Sequence, residues 1–461
     1  MTIKNILVSA LAISAAMYAS SCRENKFGVV DLNLDNVEKP VEGQYTYNHP
    51  CAMWSQDDFD RVKASLDAGT APAPVKEEFA NLKNSPYAQK GYTPSPLEWI
   101  VRGDGTGITA DGKEHYAEAM RDAAAAYQLS LLWKLTGDND YANTAVNICN
   151  RWADVCKGIT SRDQNQMLAA GAQGYTFANA AEILRDYEGW AKADFEKFKK
   201  WMTDVFAPKN YNFMTTHAGT CPDHYWSNWD LVNMCSYLSI GILTENDDMV
   251  NFVVNYFYTG EGNGCIRKLI QAYHTDPLNG ERIGQNQESG RDQGHAQMSA
   301  AVTANLAQIA YTLYTCNPEI PQLDFFAANG NALMAMGEYV ALFNLRTGTD
   351  NKNADGGWLI GSKPMPFQEY SYCEDCTCRD KNHGAHHTEA ANDNARGNLR
   401  TGWEIYYNHY AKVKGLSTGF IYAKMAADKM RPEGGSGDGR YGNTSGAFDQ
   451  LGWGTLMLYR E

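Results

Sequence analysis

Two short segments of the chain concentrate more polar chemistry than a structural scaffold needs. The first reads His224-Tyr225-Trp226-Ser227-Asn228-Trp229-Asp230 and runs into the apolar stretch Leu231 to Leu243. Ser227 or Asn228 suits a helix N-cap, because a short polar side chain accepts from the free amides of the first turn. The aromatic residues exceed what capping requires: Tyr225, Trp226 and Trp229 offer flat apolar faces of the kind on which sugar rings stack. The second segment is Gln285-Asn286-Gln287-Glu288-Ser289-Gly290-Arg291-Asp292-Gln293-Gly294-His295, ahead of an apolar helix from about Ala296 to Tyr314. Arg291 and His295 stand four apart and so share one helical face, with Asp292 able to pair with either. A buried polar cluster pinning the helix start would use the same residues. So many donors and acceptors also describe a site for a charged ligand.

A third region joins the loop Met365-Pro366-Phe367-Gln368-Glu369-Tyr370 to a helix from Arg400 through Trp403, Glu404, Tyr407, Asn408, His409 and Tyr410. Aromatic residues at helical spacing signal core at least as strongly as site. The cluster Cys373-x-x-Cys376-x-Cys378, followed by His383, His386 and His387, contains zinc-ligand residue types. It lacks a second Cys-x-x-Cys, so a local disulfide or plain loop cysteines are the stronger expectations, and no metal site is assigned.

These segments need a scaffold, and the rest of the chain reads as helices. Apolar positions three and four apart recur near 115–136, 139–157, 162–186, 191–206, 227–244, 246–259, 288–316, 323–345, 400–413 and 417–430. Short connectors such as Thr136-Gly137-Asp138-Asn139 suit helix hairpins. No alternating run announces a sheet, and the glycine-rich tail from Gly434 to Glu461 reads as an extended strap. Consecutive antiparallel helix pairs over this length predict an all-α fold, an α/α barrel or toroid. With 227–244 and 295–316 as inner helices, their N-terminal ends form the mouth. The loop after 323–345 then returns beside Asn228 and His295.

Composition bounds the rest. The 461 residues are 44% apolar and 20% charged, a globular balance, and 40 basic against 54 acidic residues give a net charge of −14. Nucleic acid is therefore not an expected partner, since phosphate binding needs a basic footprint. At the start, Lys4 precedes the apolar stretch Ile6 to Met17, too short to span a bilayer, and Ala19-Ser20-Ser21-Cys22 follows. Small residues before a cysteine resemble the lipobox of bacterial lipoproteins. The expected organisation is a signal peptide at 1–21, a tether and strap at 22–48 beginning with a lipidated Cys22, and a single catalytic domain at 49–461. That implies an exported protein of the periplasm or outer membrane, held to the membrane only through that lipid.

The motifs also carry a family resemblance. His49-Pro50, with Asp57-Asp58-Phe59 and Lys63, resembles the start of alginate-lyase-type domains. Ser227-Asn228-Trp229-Asp230, Gln287 to Gln293, and Gly402-Trp403-Glu404 through Tyr407-Asn408-His409-Tyr410 look like that superfamily's recurring blocks, in order, across about residues 49–460. The branch they most resemble is polysaccharide lyase family 38. The resemblance implies an α/α barrel and β-elimination on a uronic-acid polysaccharide such as alginate or a glucuronan-like polymer. Such a lyase removes the proton at C5, beside the carboxylate, and expels the 4-linked oxygen. The carboxylate must be neutralised, a base must reach C5, and an acid must protonate the leaving oxygen. Amide, imidazole and guanidinium groups suffice for the neutralisation, so no cofactor is expected.

By resemblance, Asn228 matches the amide that faces the uronate carboxylate, and His295 the histidine that neutralises that charge or acts as base. Arg291 is expected to bind a carboxylate and Tyr370 to relay the proton, with Tyr339, Tyr225 and Tyr410 as rival tyrosines. Tyr225, Trp229, Gln287, Glu288, Arg400, His409 and Tyr410 are expected to bind substrate. Trp229 stands where many relatives place histidine, and the loop at 373–387 matches no family motif. Two other classes fit the residues: a non-catalytic glycan-binding lipoprotein, and a glycoside hydrolase drawing a carboxylate pair from Glu288, Asp292, Asp230 and Glu404.

Overall fold

The computed structural model describes residues 41–345, 363–373, 385–416, 421–438 and 444–461, with a few short pieces besides. The signal segment, Cys22 and its tether up to residue 40, and Cys376, Cys378 and His383 lie outside these stretches or only in isolated fragments.

The molecule is a ring of helix pairs. Its helices are α1 (Gln56–Asp67), α2 (Ala73–Asn84), α3 (Ala117–Thr136), α4 (Asn139–Val155), α5 (Asn165–Leu184), α6 (Lys192–Trp201), α7 (Ala207–Thr216), α8 (Ser227–Thr244) and α9 (Asp247–Thr259). Then come α10 (Gln293–Cys316), α11 (Ala328–Asn344), α12 (Trp403–Tyr407), α13 (Tyr422–Met430) and α14 (Gly454–Leu458). Helices α3, α5, α8 and α10 are apolar nearly all round and buried on every side, so they form the inner wall. The intervening α4, α6 and α9 bury one stripe each and form the outer layer. Neighbouring inner helices pack in sequence, α3 on α5, α5 on α8 and α8 on α10.

The closest of these contacts depends on glycine. A Cβ at Gly174 of α5 would fall 2.1 Å from Ser236 Oγ of α8, and one at Gly171 would fall 2.5 Å from Val232 Cγ2. Local chemistry sets the ends. Gly137 takes a left-handed φ of 72° to stop α3, Asp138 caps α4, and Ser55 with Asp58 makes a capping box on α1.

The ring closes through the C-terminal tail. Helix α12 packs on α10 and α14, and α14 packs on α1 and α2. Buried glutamates fasten this seam. Glu78 of α2 accepts from the backbone amides of Gly434 and Leu456, while Glu433 Oε2 accepts from those of Gly402, Trp403 and Glu404 at the start of α12 (3.1, 3.1 and 3.3 Å). Glu338 of α11 does the same for Ile421, Tyr422 and Ala423 at the start of α13 (2.8–3.0 Å). Each carboxylate satisfies helix-start amides that lack a partner within their own helix.

The structure departs from the sequence reading in several places. An antiparallel hairpin, strands β1 (Ile270–Thr275) and β2 (Arg282–Asn286), stands where no sheet was expected, and it leads straight into the polar segment before α10. Helix α10 begins at Gln293, because Asp292 turns out to cap it and residues 288–291 lie in a turn. The helix following Trp403 becomes a π-helix over Asn408–Val413. The tail is not wholly extended, since it ends in α14.

The seam carboxyls predict a pH dependence. Burial pushes Glu338 up to about 7 and Glu433 up to about 8, against the lowering pull of their amide partners. A carboxyl raised in the folded state contributes most at acid pH, and that contribution is lost as pH climbs through the folded value. Thermal melts should show Tm falling between about pH 5 and about pH 9, with Glu433→Gln flattening the fall. An unaltered slope in that variant would contradict the assignment.

Candidate active site

The inner helices run in the same direction, so α8 and α10 start at the same end of the ring. The carboxylate of Glu288 sits between those two starts, fully buried. Its Oε1 accepts from Ser227 Oγ (3.0 Å), Asn228 N (3.0 Å), Asn228 Nδ2 (2.8 Å) and Ser299 Oγ (2.7 Å). Its Oε2 accepts from Arg291 Nη1 at 2.8 Å. The N-terminal dipole of α8 and the guanidinium thus stabilise a charge that no water reaches.

Arg291 carries the network outward. Its Nη2 lies 3.3 Å from His295 Nε2 and its Nε 3.4 Å from Asp292 Oδ2, while the guanidinium sits 4.9 Å from the Trp226 ring centroid. His295 Nδ1 lies 2.7 Å from Asp292 Oδ2. Guanidinium only donates, so Nε2 of His295 faces it as an acceptor and Nδ1 carries the proton toward Asp292. That is a neutral imidazole oriented by a carboxylate, the arrangement of a general base. Burial alone would raise the Asp292 carboxyl, but the hydrogen bonds from His295, with the charge of Arg291, hold it below the usual carboxylate range. The three groups are the open part of the cluster: His295 is 39% exposed, Asp292 31% and Arg291 25%.

The loop after α11 does reach this place. Tyr370 donates its hydroxyl to the Gln287 carbonyl at 2.6 Å and accepts from the Gly290 amide at 3.3 Å. Tyr370 opens strand β3 (Tyr370–Ser371), paired with β4 (His386–His387). Burial raises its hydroxyl well above the ordinary tyrosine range. Both sides of the hydroxyl are therefore engaged with backbone, and it fixes the turn from Gln287 to Gly290. The sequence reading makes Tyr370 the proton relay; here its hydroxyl is held between backbone groups at the edge of the cluster.

The remaining expected residues separate by place. Gln287 is buried and accepts from Ser227 N (3.0 Å), so it positions α8 while also lining a neighbouring pocket. Glu288, expected to bind substrate, is the hub under the site and has no face toward solvent. Tyr225 and Trp229 pack on each other and on Phe213, an aromatic cluster beside the start of α8. Arg400 spends its guanidinium on Gly446 O, Asp449 and Gln450 in the tail (3.2–3.4 Å). His409 and Tyr410 are in the core: His409 stacks on Phe326 and meets Tyr311, and Tyr410 donates to Phe326 O. Tyr311 follows His295 by sixteen residues on α10, about 24 Å along the axis, so both lie far from the cluster. The rival Tyr339 donates to Pro366 O and holds the loop that carries Tyr370.

Sequence reasoning missed the Trp226–Tyr372 stack, with centroids 4.1 Å apart, and His387, whose ring lies 5.0 Å from that of Tyr370. It also missed a pocket of about 300 Å³ sharing Gln287 and Tyr370 with the cluster and lined by Arg267, Lys268 and Tyr372. The cluster itself holds two carboxylates against one guanidinium. Arg267, Lys268 and the helix starts are the local positive sources beside it. The carboxylate pair of a hydrolase is not assembled. Asp230 is buried against Tyr256 and Gly264, Glu404 is paired with Arg431, and Glu288 is enclosed.

Residues 70–268 match the family model described as alginate lyase. Two solved structures resemble nearly the whole chain. Alginate lyase A1-III as a tyrosine-to-phenylalanine variant complexed with tetrasaccharide is 16% identical, covers 89% of this chain and 98% of its own, and has a TM-score of 0.51. A histidine-to-alanine variant, also complexed with tetrasaccharide, is 15% identical, covers 90% and 99%, and has a TM-score of 0.50. At that identity the likeness speaks for the fold, an α/α toroid. No curated protein matches the chain. The match over residues 70–268, together with the toroid fold, supports an alginate-lyase-type superfamily and a polysaccharide lyase.

Removing the hub should unfold this corner. Glu288→Ala leaves Asn228, Ser227, Ser299 and Arg291 without their acceptor and is expected to cost about 3–5 kcal/mol in denaturant unfolding. A loss below about 1 kcal/mol would contradict the hub assignment.

Proposed function

We propose that the protein cleaves a uronic-acid polysaccharide, alginate or a glucuronan-like polymer, by β-elimination at the Asn228–Arg291–His295 cluster. The observation that carries this reading is the neutral, Asp292-oriented His295 standing beside a guanidinium and an amide fixed by one buried carboxylate. The Asn228 amide has two hydrogens, and Glu288 takes one of them. The other is available to a uronate carboxylate, with Arg291 supplying charge. Spreading the carboxylate's charge over these donors stabilises the enolate-like intermediate that forms when C5 loses its proton. His295 Nε2 takes that proton. The protonated imidazole, still held by Asp292, is then the acid that returns a proton to the leaving oxygen. Tyr370 acts as a positioning residue in this scheme.

The aromatic groups Trp226, Trp229 and Tyr372 suit the apolar faces of the sugar rings, and the tetrasaccharide complexes of alginate lyase A1-III support a chain-like ligand. We place the enzyme at the membrane through a lipid on Cys22, a reading supported by the Ala19-Ser20-Ser21-Cys22 pattern. Among the described residues, no helix is long and apolar enough to cross a membrane.

The test is ultraviolet absorbance of the unsaturated product on a panel of alginates, glucuronan and glycosaminoglycans. Absorbance should rise on at least one polymer, and Asn228→Ala or His295→Ala should each slow it roughly a hundred- to ten-thousand-fold. Tyr370→Phe should keep turnover and lose only about 1 kcal/mol of stability. A folded Tyr370→Phe protein without turnover would return the proton donor to that tyrosine. Reducing ends appearing without unsaturation would overturn elimination.

A further inference from the structure

At the opposite end of α8 and α5 from the cluster lies a group of residues that the lyase reaction does not use. His49 and Cys51 come from the segment leading to α1, Glu182 from the last turn of α5, and Glu245 from the end of α8. His49 Nδ1, Cys51 Sγ and a Glu182 oxygen all lie within 4.8 Å of one another. The Sγ–Nδ1 distance is 3.6 Å and the Sγ–Oε1 distance 3.8 Å. In a tetrahedral zinc site with ordinary Zn–S, Zn–N and Zn–O bonds those edges measure about 3.5 Å. The third edge, Nδ1 to Oε1, is 2.5 Å, a hydrogen bond. Admitting an ion requires ring and carboxylate to part by about 0.8 Å, to roughly 3.3 Å.

The surroundings complete the arrangement. The other ring nitrogen, His49 Nε2, lies 3.2 Å from Glu245 Oε1. A metal-bound histidine normally donates its far N–H to a carboxylate in this way. Arg185 holds both acids, with Nε 3.3 Å from Glu182 Oε2 and Nη1 3.1 Å from Glu245 Oε1. It grips the Glu182 oxygen that the ion would not use. Cys51 and Glu182 are buried, while His49 keeps a narrow exposed edge through which an ion can arrive.

We propose that His49 Nδ1, Cys51 Sγ and Glu182 Oε1 form a structural zinc(II) site that staples the segment before α1 to the inner wall.

The charges balance. Both ring nitrogens of His49 face carboxylate oxygens, which only accept, so the hydrogen-bonded form holds an imidazolium and a neutral thiol. Zinc displaces the Nδ1 proton and the Cys51 proton, and these two positive charges leave as the ion brings two. The Nε2–H stays on Glu245, no bond is oxidised or reduced, and a water fills the fourth position. Burial, with the charge of Glu182, holds the thiol proton tightly in the metal-free form. A divalent cation is the agent that would release it.

The test uses the full chain purified without chelator. Elemental analysis should find about one zinc per chain, and cobalt(II) should replace it with a thiolate-to-cobalt charge-transfer band. Cys51→Ala should lose the band, lose the zinc and melt lower than the wild type in zinc but not in chelator. His49→Gln, which keeps the thiol, should bind zinc at least tenfold more weakly. Absence of stoichiometric zinc together with no cobalt band would overturn the site and leave a hydrogen-bonded clasp. Equal zinc in wild type and Cys51→Ala would overturn this ligand set. Neither readout depends on the lyase reaction.

Discussion

Glu288 is a buried carboxyl with five donors and no solvent, and the working end of the molecule is arranged around answering its two oxygens. Taking such a group out of water costs several kcal/mol unless its oxygens are answered. The start of α8 answers one oxygen with the Asn228 amide, the Asn228 side chain and the Ser227 hydroxyl, α10 adds the Ser299 hydroxyl, and Arg291 answers the other oxygen. The same bonds fix Asn228 and Arg291 at known positions, and Arg291 and Asp292 in turn fix the tautomer of His295. The groups that would meet substrate are therefore held by a group that never does.

The ring exists to bring those two helix starts together. Parallel inner helices place their N-termini at one end, and the glycines at 171 and 174 let α5 approach α8 closely enough to hold its register. Buried carboxylates secure the closure beside the apolar packing of Trp453, Leu456 and Met457: Glu78, Glu433 and Glu338 each reach across the chain to cap a helix that cannot cap itself. Loop and tail segments then settle on the mouth, Tyr370 through Gln287 and Gly290, and Arg400 through the tail.

Much of this was legible in the chain. The apolar run from Leu231 to Leu243 with a polar start marks α8, and Arg291 and His295 do meet, though Arg291 lies in the turn before α10 and not on the helical face their spacing implied. The short helix connectors imply the antiparallel pairs. The hairpin β1–β2 was not legible, because Ile270-Gln271-Ala272-Tyr273-His274-Thr275 lacks clean alternation and both faces are largely covered. Glu288 looked like a ligand-binding residue, since a sequence does not show which of several adjacent polar groups turns inward. His409 and Tyr410 misled for a related reason. A polar-aromatic block on a helix carries no mark of which end of the barrel it occupies, and these two fall in the core near Tyr311.

The central claim is that the cluster built on Glu288 breaks the sugar linkage by elimination, without adding water across it. The most direct measurement is mass spectrometry of the products formed in heavy-oxygen water, on whichever uronate polymer the enzyme cuts. Elimination predicts one product end lighter by a molecule of water, and no heavy oxygen at the new reducing end beyond the slow exchange that a reducing oligosaccharide shows alone. Products that together weigh one heavy water more than the parent chain, with no unsaturated end, would mean hydrolysis, and the roles of Asn228, Arg291 and His295 would fall.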